Sequence, residues 1–251
     1  MSSASNVSGR RFRSNVYFFS LILVFVCVSA PVNAQMFSVK PQRETIELPG
    51  LILSAGVERM DVSYAPDQRP VTDFSFSADL LRLQLESGGL VASYSTGRGL
   101  AATHVDYTSF ELALASGFQL IRRDAFQAVL PFYIYSVNTT MTSRAAQMTN
   151  SEFRQNALGL RTGFQAQVRM SPRTRLIAFG TGGYAFSANG FNSNGGSISQ
   201  WDAGARLHMD GIFRSAGLTA GAMIHQRSYD VDIRTFNYDL HSVSFLFGVT
   251  L

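Results

Sequence analysis

The chain has 251 residues, 46% of them hydrophobic and only 15% charged, with a formal net charge of +4 and one cysteine. Three arginines near the start, Arg10, Arg11 and Arg13, supply most of that surplus, so the basic balance is no argument for nucleic acid. A lone Cys27 excludes a disulfide framework and a cysteine metal site.

The first 34 residues read as a cleaved secretory signal. Arg10, Arg11 and Arg13 form a basic n-region, Val16 to Ala30 is an apolar run, and Val32-Asn33-Ala34 before Gln35 places small residues at a cleavage site. The run is shorter than the ~20 residues a spanning helix needs, and no other uninterrupted run approaches that length. If the mature chain crosses a bilayer, it crosses as strands. Residues 35–50 hold Lys40, Arg43, Glu44, Glu47, Pro41 and Pro49 without a sustained period. They read as a periplasmic lead-in, or a short plug over a barrel mouth.

From Leu51 onward, runs of alternating residues recur at even intervals. The pattern predicts strands at 51–64, 72–86, 89–97, 106–121, 125–137, 153–170, 173–187, 198–210, 215–229 and 239–251. The apolar phase slips at Leu80-Leu81, which we read as a bulge; if 51–64 and 72–86 are misread, eight strands remain. Ser87-Gly88-Gly89, Arg122-Arg123-Asp124, Ser171-Pro172-Arg173 and Gly211 to Arg214 are tight turns. The stretches 65–71, 98–105, 138–152, 188–197 and 230–238 are longer and polar. Short and long connections in strict turn, with an even strand count, predict an all-β, antiparallel, up-and-down transmembrane barrel over 51–251.

Within 158–170, Leu158, Leu160, Thr162, Phe164, Ala166, Val168 and Met170 share one face, and Arg161, Gln165, Gln167 and Arg169 share the other. A charge facing lipid at mid-depth costs about 2–4 kcal/mol, so the charged face must look inward. Arg161, Gln165, Arg169, Asp202, Arg206, His225 and Arg227 are the expected polar filling, alongside Arg82, Glu111, Gln167 and Asp210. A soluble ligand-binding barrel also alternates; the aromatic residues arbitrate. Tyr64, Phe74, Tyr94, Tyr107, Tyr135, Phe153, Tyr184, Trp201, Tyr229 and Tyr238 all fall near loop-side strand ends, where a headgroup-level girdle is expected.

The last strand alternates Val243, Phe245, Phe247, Val249 and Leu251 on one face. With this strand, the chain resembles the integral outer-membrane β-barrel proteins of Gram-negative bacteria, whose C-terminal strand ends in alternating apolar residues. That family more often ends in phenylalanine than in leucine. The resemblance implies that these five residues are the insertion signal read by the barrel-assembly machinery. It also implies outer-membrane lipids and lipopolysaccharide as surroundings, an outer-membrane address, and a structural or surface-interaction role for the external loops.

Chemistry is sparse. Asp202, His225 and Ser242 or Ser244 fall at similar heights on three neighbouring strands, in the order of orienter, base and nucleophile. They look inward, whereas lipid hydrolases of this envelope place such groups on the lipid-facing wall. His208 and Asp210 form an HxD pair similar to the His/Asp chemistry of omptin proteases, but at the periplasmic end and not at the external rim. His104 and His241 have no metal-ligand spacing, and no phosphate-binding, dinucleotide or zinc motif is present. The expectation is therefore a non-enzymatic barrel without cofactor or metal; the alternatives are a narrow pore for small solutes and an acyl hydrolase acting on lipid.

Overall fold

The computed structural model describes residues 50–64, 76–100, 104–143, 152–187, 195–213, 216–231 and 237–251. The expected leader 1–34, nearly all of the lead-in 35–50, and Phe74 lie outside the described residues. The described residues form ten strands and no helix: β1 Ile52–Tyr64, β2 Phe76–Ser87, β3 Leu90–Leu100, β4 His104–Arg122, β5 Phe126–Ser143, β6 Glu152–Ser171, β7 Thr174–Ser187, β8 Gly196–Phe213, β9 Ala216–Val231 and β10 Tyr238–Thr250. Each pairs with its sequence neighbours, and β1 closes on β10. The result is an up-and-down barrel whose strands all have two partners.

β5 runs well past the expected end at 137. Its added residues alternate Thr139 and Met141 inward with Asn138, Thr140 and Thr142 outward, paired to β4 and β6. Between β2 and β3, Ser87 pairs with Leu90 across Gly88 and Gly89, whose φ values are 53° and 92°. A two-residue hairpin turn of this kind needs positive φ at both central positions, which glycine adopts without a Cβ clash.

The slip at Leu80-Leu81 is not a bulge. β1 and β2 stay in unbroken register from Ile52↔Glu86 to Val62↔Phe76. Leu80 is buried in the lumen, while Leu81 stands exposed on the outer wall. The apolar stripe therefore changes walls with no change in backbone pairing. The register shifts that do occur, at Gln119/Ile121, Arg169/Ser171 and Met209/Phe213, all lie toward the turn ends.

The same exchange recurs around the barrel. Toward the loop end, Met60 and Val62 of β1, Val105 and Tyr107 of β4, Phe153 of β6, and Tyr238 and Leu240 of β10 are buried inside. Toward the turn end the large apolar residues lie outside: Val57 of β1, Leu114 and Phe118 of β4, Leu160 and Phe164 of β6, Phe245 and Phe247 of β10. The loop-end portion is here called the collar and the turn-end portion the belt. The collar has an apolar core in which Phe153 meets Tyr229 and Tyr238 edge-on, each at 5.7 Å between ring centroids. Burying each such ring contributes about 1.5–3 kcal/mol. Outward in the collar stand Arg59, Asp61, Asp79, Arg98 and Asp106, with ion pairs Arg59–Asp79 and Arg98–Asp106 both at 2.9 Å.

Candidate functional site

Beneath the collar core the inward positions become charged. Arg161 on β6 contacts Asp202 at 2.8 Å and Glu111 at 3.0 Å. Arg227 on β9 donates to Glu111 at 2.6 Å, to Gln200 at 3.2 Å and to Ser109 at 3.2 Å. Glu58 on β1 accepts from Arg82 at 3.3 Å, Ser95 at 2.7 Å and Ser242 at 2.5 Å, three residues from three other strands. The Arg161 guanidinium also lies over the rings of Tyr133 and Tyr135, at 4.7 and 5.3 Å. Nearer the turn end, Arg206 pairs with Glu86 and Arg175 with Asp210. Pairing recovers part of the desolvation cost of burying these charges, and losing one partner leaves a buried charge unmatched.

Several of these contacts span the lumen. Arg227 of β9 reaches Glu111 of β4; Arg206 of β8 reaches Glu86 of β2. In the collar, Thr139 of β5 and the Tyr229 hydroxyl of β9 are 3.0 Å apart, and Phe153 of β6 touches Tyr238 of β10. Opposite walls are thus bridged in both halves of the barrel.

The structure places Arg161, Asp202, His225 and Arg227 in this layer, each buried, with Arg206 partly buried below them. Gln165 lies inward and half-buried; Arg169 is inward in phase but exposed at the turn end. Glu58, Glu86, Gln200 and Arg175 were not foreseen. Glu58 shares its phase with the apolar Met60 and Val62, so a reading that assumes one polarity per face passes over it.

Asp202, His225 and Ser242 do lie in one cross-strand row, Asp202↔His225 on β8–β9 and His225↔Ser242 on β9–β10. His225 Nδ1 contacts Asp202 Oδ1. The Ser242 hydroxyl, however, spends its hydrogen on Glu58 and not on His225. Ser244 sits opposite Glu58 with its Oγ unpartnered. All four are inside the wall, out of reach of lipid chains. His208 is buried, and Asp210 is engaged by Arg175 at 2.6 Å. No group of three or more His, Cys, Asp or Glu among the described residues has metal-holding geometry.

The outer wall of the belt decides what medium surrounds it. Leu158, Leu160, Phe164, Phe186, Phe245 and Phe247 are 48–68% exposed there, while Arg161 and Asp202 are buried behind the same wall. Water outside would reverse that preference. The chain is a membrane-spanning β-barrel.

The expected ring of ten aromatics does not form. Tyr107, Tyr135, Phe153, Tyr229 and Tyr238 are buried inside, because the strand ends that carry them stand beyond the belt, where the apolar side of the wall is the inner one. Tyr94, Tyr184 and Trp201 point outward, Tyr184 within the belt, where it pairs with Leu160 and meets Phe186 edge-on at 4.9 Å. Tyr94 borders a shallow apolar recess with Leu53, Leu83 and Phe247, and Trp201 donates to Gln226 at 2.6 Å. The side chain of Tyr64 lies outside the described residues.

No protein-family model matches the chain, and no curated protein matches its sequence. Among solved structures, the outer membrane protease OmpT from Escherichia coli is 9% identical, covering 80% of this chain and 96% of that one with a TM-score of 0.44. The transport unit of the autotransporter AIDA-I from Escherichia coli is 10% identical over 94% and 97%, with a TM-score of 0.42. Neisserial surface protein A is 10% identical over 80% and 95%, with a TM-score of 0.31. Likenesses this distant say nothing of activity or partner.

Proposed function

We propose that the chain is an integral outer-membrane barrel with a structural or surface-interaction role, its lumen sealed and its collar and loops presented outside. The observation that carries this reading is the bridging of opposite walls, by Arg227–Glu111 and Arg206–Glu86 in the belt and Phe153–Tyr238 in the collar. A barrel of about ten strands has an interior that side chains can fill, and here ion pairs and rings span it. The secretory features of residues 1–34, with the short turns at one end and long connections at the other, support export and an outward-facing collar. In this reading the belt sits among outer-membrane lipids and lipopolysaccharide. Val243, Phe245, Phe247 and Val249, outward on β10, and Leu251 just past its end serve as the signal for the assembly machinery.

Planar-bilayer recording separates this role from that of a narrow pore. Purified, folded protein should insert and give no discrete conductance steps; reproducible steps from the unaltered chain would overturn the sealed lumen. Orientation is read from an epitope inserted between Ala145 and Ala146. Antibody should label intact cells, and labelling only after the envelope is opened would reverse the proposed topology.

A further inference from the structure

At the turn end of the lumen, four inward positions on consecutive strands form one cross-strand row. Arg169 of β6 lies opposite Arg175 of β7, Arg175 opposite His208 of β8, and His208 opposite Thr219 of β9. Side chains so paired have Cβ atoms about 5 Å apart. Arg175, His208 and Thr219 are 9%, 2% and 4% exposed. Each carries a polar atom without a hydrogen-bonding partner: Nε of Arg175, Nδ1 of His208 and Oγ1 of Thr219. Buried polar groups are rarely left so, and three on adjoining strands make a constellation that asks for a shared partner.

Chemistry and charge name the class of that partner. A guanidinium Nε only donates, a threonine hydroxyl can donate, and imidazole Nδ1 donates in one of its tautomers. What the row lacks is therefore an acceptor. Asp210 neutralises Arg175 through its terminal nitrogen at 2.6 Å, and Arg169 in the same row adds a second positive charge. We propose that Arg175, His208 and Thr219 form a binding site for a small oxyanion at the turn end of the lumen. Its position inside the wall separates it from lipid headgroups, so the ligand is a free anion of carboxylate or phosphate type.

The test is a titration of folded, histidine-labelled protein in detergent micelles, read by NMR of the four imidazoles. Sodium phosphate and sodium acetate are added in separate arms at constant ionic strength, balanced with sodium chloride. The expected result is a saturable shift of His208 in at least one arm, with His225 unmoved. Arg175→Gln and Thr219→Val should each weaken it by roughly tenfold, as loss of a charge-assisted or buried hydrogen bond implies. Heat-modifiable gel mobility confirms that each variant is folded; should both fail, Arg169→Gln, at an exposed position, is expected to weaken binding as well. No saturable shift in either arm overturns the site, as does a shift that every folded variant retains unchanged.

Discussion

Along β6, Phe153 is buried and Arg154 faces outward; further down the same strand, Leu160 is bare on the outer wall and Arg161 is buried. The backbone alternation is identical in the two places. What differs is the medium outside. In the collar, burial removes apolar rings from water, and polar residues cover the exterior. In the belt, hydrocarbon outside has no use for charge, so the charged side chains gather on the axis and answer one another. One barrel therefore carries two cores, an apolar one above and an ionic one below.

The largest effects come from emptying either core. Phe153→Ala in the collar should lose about 3–5 kcal/mol, through lost burial and the cavity left behind. Glu111→Ala in the belt should lose a similar ~3–5 kcal/mol, because Arg161 and Arg227 each lose a partner while buried. Urea unfolding in micelles, followed by the heat-modifiable band, measures both. An unchanged midpoint for Glu111→Ala would mean that the lumen is wet enough to solvate the arginines.

Next in size is a charge placed on the outer wall. Leu160→Arg should cost about 2–4 kcal/mol when the protein is equilibrated with bilayers. Asn156→Arg, four residues away on the same face, should stay within about 0.5 kcal/mol. Equal costs at the two sites would erase the boundary between belt and collar. A smaller loss than that of Leu160→Arg is expected at the hairpin of Gly88-Gly89. Gly89→Ala should cost about 1–2 kcal/mol for its positive φ, and more than Gly88→Ala, since its Cβ would fall 2.8 Å from the Ala115 carbonyl oxygen. The same unfolding assay ranks the two.

The barrel itself was legible in the sequence, since period-two alternation and the rhythm of short and long connections depend only on local chemistry. The belt was legible for the same reason: Leu158 to Met170 keeps one polarity per face throughout. The collar was not, because reading it requires the polarity of the faces to exchange partway along a strand. Leu80-Leu81 carried that signal, as did Leu240 followed by Val243, and a bulge was the wrong account of it. Of the aromatics near strand ends, Tyr94, Tyr184 and Trp201 face outward as expected, whereas Tyr107, Tyr135, Phe153, Tyr229 and Tyr238 lie on the inner wall. Among polar residues, Asp202 and His225 were found from sequence because their strands alternate cleanly. Their cross-lumen surroundings were not, since Glu111 lies 116 residues from Arg227 and no local pattern links them.

The exchange of polarity is tested most directly by spin-label accessibility at Asn156 and Leu160, two outward positions on β6. Cys27 is the chain's only cysteine, so in a Cys27→Ser background a single cysteine introduced at either position takes the label alone. In reconstituted bilayers, a nitroxide at Leu160 should collide mainly with dissolved oxygen, and one at Asn156 mainly with a water-soluble nickel chelate. Nickel-dominated relaxation at Leu160, or the same profile at both positions, would contradict the account.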